Sequence, residues 1–434
     1  MASAQDHFSG INTSQRVGVL NANINPAELA DLRSKYETQL FAISANVANN
    51  KVGFSDLNSD ADFEDLIFNG NKPVNFRADT EIHGPAFAFR VNKWAFMVGL
   101  KAYAKMDMVD VDPNLGDAVS SGNSQSQMLT TIINNDFNQR ITGTSWGELG
   151  LSVARNLYET DVHKINGGLT IKLLFPGSYA NFGANQFSGT ILTGAGSSIL
   201  TDANADLNVS YSGNLGETFD DFSDYTSSIF GGLNGVALDF GANYQWKDVD
   251  NVHYKIKAGF ALRNMGSMTF SDANNASTNY VLNIAPTEQL NLEVFEDADG
   301  LADAEDILLD SGYLNKNEKD NIDFKVKTPA VFSAYADFKV VPKLYVTLYT
   351  KQKLNDSSAN DQIATQNVFS VTPRFTINNF ELWSTWSDNE ISGLAGGLGL
   401  RFYGFFIGSG SAITALANDS KQADVFLGYS FGLR

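Results

Sequence analysis

Residues 93–105, KWAFMVGLKAYAK, alternate without a break. Trp94, Phe96, Val98, Leu100, Ala102 and Ala104 take one face, and Met97, Gly99, Lys101, Tyr103 and Lys105 take the other. A period of two is strand geometry. Strands of soluble sandwiches typically run about five or six residues and carry charge on their outer face. A thirteen-residue ribbon with a greasy outside and a polar second face has the length and pattern of a strand that crosses hydrocarbon as part of a barrel.

The pattern recurs along the chain. Phe41, Ile43, Ala45 and Val47 form one such face, and Leu149, Leu151 and Val153 another. Ile165, Leu169, Ile171, Leu173 and Phe175 oppose Lys164, Asn166, Thr170 and Lys172, while Val236, Leu238, Phe240, Ala242, Tyr244 and Trp246 oppose Asp239, Asn243 and Gln245. In the next segment Val252, Tyr254, Ile256, Ala258, Phe260 and Leu262 oppose His253, Lys255, Lys257 and Arg263. Further strands are expected near 75–90, 205–213, 267–284, 326–340, 343–353, 366–377, 380–388, 392–402, 404–414 and 422–434. The total is sixteen, or fourteen if weak segments merge. Tight links at 91–93, 341–343, 378–379 and near Tyr403 contrast with long loops at 107–144, 176–204 and 285–325. That asymmetry is expected of a barrel with short periplasmic turns and long extracellular loops, although the alternation of short and long links requires sixteen strands and leaves a long link at 214–234 on the short-turn side. Trp94, Trp146, Phe175, Trp246, Phe338, Phe380 and Trp386 are candidates for interfacial girdles.

Composition agrees. The 434 residues hold 37 glycines, 9 prolines and 12% aromatics, with 43% hydrophobic and 18% charged residues. No run approaches the eighteen or so unbroken apolar residues of a membrane helix. A net charge of −19 argues against a nucleic-acid partner, because phosphate binding needs clustered Lys and Arg. With no cysteine, disulfides, thiolate nucleophiles and zinc–cysteine sites are excluded. Ala2, Ser3 and Ala4 before Gln5 read either as the end of a secretory signal, with the mature chain beginning near Gln5, or as residues added ahead of the natural start.

An open sheet edge in lipid would leave backbone groups unpaired at several kcal/mol each, so the last strand must pair with the first. The tail ADVFLGYSFGLR suits this, with Val425, Leu427, Tyr429, Phe431 and Leu433 outward. It is similar to the C-terminal strand of outer-membrane proteins, though it ends in Arg434 rather than in an aromatic residue. The sequence therefore predicts an all-β fold: a transmembrane antiparallel β-barrel of 14–16 strands with an N-terminal plug segment and long extracellular loops.

Ahead of the first strand lies LNANINPAELAD, with Asn25, Pro26, Ala27, Leu29 and Ala30. It resembles the NPAxLA element of FadL-like long-chain fatty-acid transporters and of the related PorV-type barrels of Bacteroidota type IX secretion. Asn264, Met265 and Gly266, expected to end a strand, resemble an NxG element of the PorV-type group, with Gly266 permitting a tight turn. The resemblance implies a barrel whose residues 1–38 tuck into the lumen as a plug, leaving 39–434 as the barrel. PAELADLRSKYE reads as one short helix opened by Pro26, and a segment with such short apolar runs needs somewhere to dock; a free periplasmic leader is the alternative.

Catalytic motifs are weak. GTSWG at 143–147 matches G-x-S-x-G, but Ser145 opens a strand rather than a strand-to-helix elbow. His7, His83, His163 and His253 lack metal-ligand spacing. Asp297, Asp299, Asp303 and Asp306 around Gly300 loosely match a calcium loop without its bidentate acid, whereas Leu301, Ala304 and Leu308 fit one face of an acidic helix in an outer loop. Acidic runs at Asp56–Asp65 and Glu217–Asp224 read as solvated loops. No enzyme activity, cofactor or metal is expected.

Alternation directs Lys101, Lys105, Lys164, Lys172, Lys255, Lys257, Arg263, Lys339, Arg374 and Arg401 inward, against only Glu148, Asp239 and Glu381. Lys101, Lys105, Lys172, Lys257, Arg263 and Arg374 are thus candidates to hold the carboxylate of a lipid-like ligand; the alternative is pairing with plug and loop acids. The expected function is passage of a hydrophobic or amphipathic small molecule through an outer-membrane barrel bathed in lipid, by plug displacement and lateral release through a strand kink for which glycines and Pro329 or Pro373 within strands are candidates. The alternative is a non-transporting scaffold for an outer-membrane or secreted protein partner.

Overall fold

Tyr36–Asn49 (β1) pairs along one edge with Val74–Val91 and along the other with Gln422–Leu433, so the sheet has no free edge within the wall. In chain order the wall continues from Val74–Val91 (β2) through Trp94–Val111 (β3), Asn138–Glu159 (β4), His163–Gly194 (β5), Gly235–Lys247 (β6) and Tyr254–Phe270 (β7). It is completed by Val331–Val341 (β8), Leu344–Lys353 (β9), Val368–Ile377 (β10), Phe380–Asn389 (β11), Gly393–Phe402 (β12), Phe405–Ser409 (β13) and Gln422–Leu433 (β14). Each strand pairs antiparallel with the next, giving a closed barrel of 14 strands. The computed structural model describes residues 7–14, 18–56, 62–120, 129–194, 197–217, 231–248, 254–296, 298–417 and 420–433.

The strand number differs from sixteen because two expected strands lie outside the wall. Segment 205–213 belongs to Ser197–Ser212, and 267–284 divides: its first residues finish β7, while Ala276–Ile284 pairs with Ser197–Ser212. With fourteen strands the alternation of links closes. The hairpins at 92–93, 342–343, 378–379 and 403–404 all follow even-numbered strands, and they place Asn92, Lys343, Asn378 and Tyr403 at positive φ, as tight β-hairpins require.

The stretches expected as long loops are largely ordered. β5 runs for 32 residues, well past the wall. Its outer half pairs with Ser197–Ser212 on one side and, near its end, with Leu129–Asn134 on the other. One face of this outer sheet packs Ile191, Leu200, Leu207 and Tyr211 against Leu301 and Leu308 of the helix Leu301–Asp310. Burial of that apolar stripe explains the helix, and Glu305 on the same element is buried too, accepting from Tyr280 Oη at 2.7 Å and Tyr211 Oη at 3.0 Å. The acidic 296–306 stretch is therefore helical from Leu301; Asp297 lies outside the described residues, as do residues 1–6, His253 and Arg434.

The wall's outer face is apolar as alternation requires, with Phe41, Val98, Leu151, Ile171, Phe240, Phe260 and Leu398 all exposed. Trp94, Trp246 and Trp386 are exposed as well, but Trp146 is not: it shares the parity of the inward Glu148 and stacks on Tyr103 inside the lumen, ring centroids 4.4 Å apart. Lys255 is another departure. A bulge in β7 pairs Lys247 with Tyr254 and Trp246 with Ile256, leaving Lys255 outside over the Trp246 ring and turning Tyr254 inward to donate to Asp337. Asn264–Gly266 is no strand end: Asn264, at φ +57°, sits in a further bulge, Met265 and Gly266 pair with Leu238 and Ala237, the strand continues to Phe270, and a Cβ at Gly266 would stand 2.5 Å from Ala237 Cα.

Candidate functional site

The lumen is occupied by the chain's own N-terminal segment. Asn25 caps a 3-10 helix, Pro26–Asp31, through an Oδ1 that accepts from Ala27 N at 3.0 Å, with Pro26 in the first turn, where its missing N–H costs nothing. The predicted helix stops at Asp31, and β1 begins at Tyr36, because Tyr36 and Glu37 already pair with both neighbouring strands. Asn25, Pro26, Ala27 and Leu29 are all buried. The Asn25 amide donates to Ala242 O at 3.0 Å and Tyr335 Oη at 3.3 Å. Glycines on three adjacent strands make this seat: a Cβ would lie 2.5 Å from Ala27 N at Gly168, 2.9 Å from Asn25 Cγ at Gly241 and 2.8 Å from Asn25 Nδ2 at Gly259.

Charges clamp the segment. Lys257 binds Glu28 and lies 3.0 Å from Asp31, and Lys164 reaches Asp31 at 2.8 Å. Burial alone would raise the Asp31 carboxyl, but these two ammonium groups outweigh it and hold it well below the usual carboxylate range. Arg263 donates to Asn23 O at 3.1 Å. Arg374 donates to Gly10 O and Thr13 Oγ1, each at 2.8 Å, and pairs with Glu381 at 2.9 Å. Upstream, Phe8 packs among His83, Phe406 and Phe426, while His7 meets Ser44 Oγ at 2.8 Å and Asp79 at 3.3 Å.

Against Phe8, Leu20, Asn23 and Ile24 of the N-terminal segment lies a charged chamber of about 100 Å³, room for a few waters and too small and polar for an apolar guest. Its wall is a cross-strand ladder: Arg77, Asp79, Glu81 and His83 on β2 face Asp107, Lys105, Tyr103 and Lys101 on β3. Arg77–Asp107 is 2.6 Å and Lys105–Asp79 3.0 Å; Lys101 lies 3.8 Å from Glu81 and 4.0 Å from Glu148. Lys172 is 2.9 Å from Asp239.

The six cations singled out from sequence therefore divide by partner. Lys257, Arg263 and Arg374 hold the N-terminal segment, and Lys101, Lys105 and Lys172 pair with wall acids around the chamber. Sequence reasoning missed Asp79, Glu81 and Asp337 as inward acids, although RADTEIH at 77–83 spaces Arg77, Asp79, Glu81 and His83 two apart. Ser145 is fully buried in the middle of β4 and accepts from Ser178 N, so it is no nucleophile elbow. Among the described residues no group of three or more His, Cys, Asp or Glu is placed to hold a metal.

Beside the chamber the wall is irregular. The β2–β3 ladder shifts register from Ala86–Gly99 to His83–Lys101, so that Gly84 and Pro85 bulge against the single Leu100, while the β1–β2 ladder keeps one register from Gln39–Ala86 to Ala42–His83 with the two pairs between them unbonded. Pro85 has no N–H to give. A gap of about 20 Å³ next to this bulge is lined by His83 and Ala86, which flank it, by Leu100 and Lys101 of β3, by Glu148 and by Ala22 and Asn23 of the N-terminal segment. By contrast, Pro373 keeps its register with Val346, and Pro329 lies between strands, accepting from Asn264 Nδ2.

Residues 26–410 match the model of a family of unknown function, DUF5723. The chain belongs to that family. No curated protein matches it. Among solved structures it is similar to the TodX ΔS2S3 mutant monoaromatic hydrocarbon channel, at 10% identity over 95% of this chain and 94% of that one, with a TM-score of 0.47. It is also similar to the toluene transporter TbuX of Ralstonia pickettii, at 11% identity over 94% and 92% of the two chains with a TM-score of 0.38. For the P. putida toluene transporter TodX the identity is 10% over 95% and 94%, with a TM-score of 0.34. At such scores this DUF5723 member takes neither residue roles nor a substrate from them.

Proposed function

We propose that this DUF5723 barrel sits in a bacterial outer membrane and passes a small amphipathic molecule with an anionic head, and that residues 1–38 act as its plug. The observation that carries this reading is the meeting of three features: the β2 bulge at Gly84–Pro85, the charged chamber inside it, and the N-terminal segment beside it. Withdrawal of Ala22 and Asn23 would widen the gap towards the lipid. Lys101, Lys105 and Lys172 would then offer an anionic head group a place to exchange for the wall acids they now face.

The test is deletion of residues 5–30. In planar bilayers the deletion variant is expected to conduct where the full chain is closed, and in liposomes it should release a fluorescent fatty acid faster. A deletion variant that folds yet stays closed and inert would end the proposal. A second reading, a scaffold for a protein partner such as a component of a type IX secretion complex, is favoured by the outer sheet, which has an apolar core of its own. A stoichiometric partner recovered in mild detergent, together with an inert deletion variant, would select it.

A further inference from the structure

The outer sheet has a second face, opposite the one that packs on the helix Leu301–Asp310. It carries an amide relay. Asn181 Nδ2 donates to Asn208 Oδ1 at 2.8 Å, and Asn208 Nδ2 donates to Asn279 Oδ1 at 2.9 Å, crossing from β5 through Ser197–Ser212 to Ala276–Ile284. Asn185 stands opposite Asp206 in the ladder, and neither side chain hydrogen-bonds to any described residue. Across the gap Asn360 accepts from Asn138 Nδ2 at 3.1 Å, while Asn138 Oδ1 is shielded from solvent and accepts nothing. All of these groups except the buried Asn181 line an open groove of about 680 Å³, well within the roughly 300–1,000 Å³ of small-ligand sites.

The chemistry of the lining selects the ligand class. Among the described residues no lysine or arginine lines the groove, which argues against an anion. Among the described residues it has two carboxylates, Asp136 and Asp206, fewer than a dedicated cation site supplies. Its apolar side chains are too few and scattered for a lipid. What remains is a surface of planar amides offering donors and acceptors side by side, with Phe137 at one edge. Vicinal hydroxyls of a sugar ring donate and accept over the same short spacing.

We propose that this groove is a carbohydrate-binding site that takes a neutral saccharide chain, whether free or as the glycan of a cell-surface lipid. The site does not depend on the transport reading, because it lies beyond the wall and away from the chamber.

The experiment uses the full chain in a non-glycosidic detergent on an array carrying free neutral oligosaccharides and, as separate features, purified lipopolysaccharide glycans; titration calorimetry follows with the strongest feature. Binding to neutral saccharides is expected, and which set of features binds identifies the source. Asn279→Ala and Asp206→Ala, both at exposed positions, should each weaken it about tenfold, the worth of one good hydrogen bond, with heat-modifiable gel mobility unchanged to show an intact barrel. Absence of binding to every feature overturns the proposal. So does an Asn185→Ala, Asp206→Ala, Asn279→Ala triple variant that folds and binds like the unsubstituted chain.

Discussion

Gly168 and Ala27 meet without room for a side chain between them: a Cβ at residue 168 would stand 2.5 Å from the Ala27 backbone nitrogen. That contact fixes the N-terminal helix against β5, and the glycines at 241 and 259 extend the same seat across β6 and β7. Gly168→Ala should overpack the seat at a cost of about 1–3 kcal/mol. The expected outcome is faster proteolysis ahead of Tyr36 and intermittent conductance in a barrel that still closes. Full protection of the segment in this variant would show that the seat lies elsewhere.

Lys257 is the charge on which the seat most depends, since it serves both Glu28 and Asp31. Removing one member of a buried pair leaves the other unpaired, at about 3–5 kcal/mol. Lys257→Met should therefore loosen the segment more than Gly168→Ala, as read by hydrogen exchange over residues 25–31. Adding Glu28→Gln should recover part of the loss. If the double variant is as loose as the single one, the charge argument is wrong.

Two groups of the segment give its seating opposite pH limbs. Asp31 is held below its ordinary range, so its contribution is present above the unfolded carboxylate pKa of about 4 and is lost as pH falls below that. For His7 burial alone lowers the pKa, but the Asp79 carboxylate outweighs it and raises the imidazole above its usual value. Its contribution is present below about pH 6.5 and fades as pH rises further. Protease protection of the segment should peak between about pH 4 and 6.5, and His7→Gln should remove the alkaline limb alone. A profile flat from pH 5 to 9 in the unsubstituted chain would contradict the His7 assignment.

Outside the wall, Glu305 organises the outer sheet by accepting from Tyr211 and Tyr280. Burial first, and then the Glu305 charge, push the Tyr211 hydroxyl up to about 12. Glu305→Ala should cost about 1–3 kcal/mol for each orphaned hydroxyl. It should also bring the Tyr211 titration, followed by ultraviolet absorbance, down towards the ordinary value of about 10. Hydrogen exchange should quicken in 197–212 and 276–284 and stay slow in β1 to β4. Equal loosening of the wall would mean that the two parts do not stabilise separately.

The wall was legible because its signal is local. A strand between lipid and lumen must alternate residue by residue, so Trp94–Leu100 or Phe41–Val47 declare their faces without reference to any neighbour. The tight hairpins were legible for the same reason. Where a bulge slips the register, as at Lys255 and Asn264, alternation points the wrong way, because the extra residue is required by the partner strand and not by the local sequence.

By itself the sequence determined the all-β class, the apolar outside, the long strands and the inward face that gathers Lys101, Lys105, Lys172, Lys257, Arg263 and Arg374. Only the tertiary structure decided that fourteen strands close the ring and that Ser197–Ser212 and Ala276–Ile284 stand outside it, because past the lipid a strand keeps its period of two and looks the same in sequence. It also decided which acids those cations meet. Pairing is set by distance across the lumen, and Lys257 lies 229 positions from Glu28 along the chain; no local pattern encodes a contact that long-range.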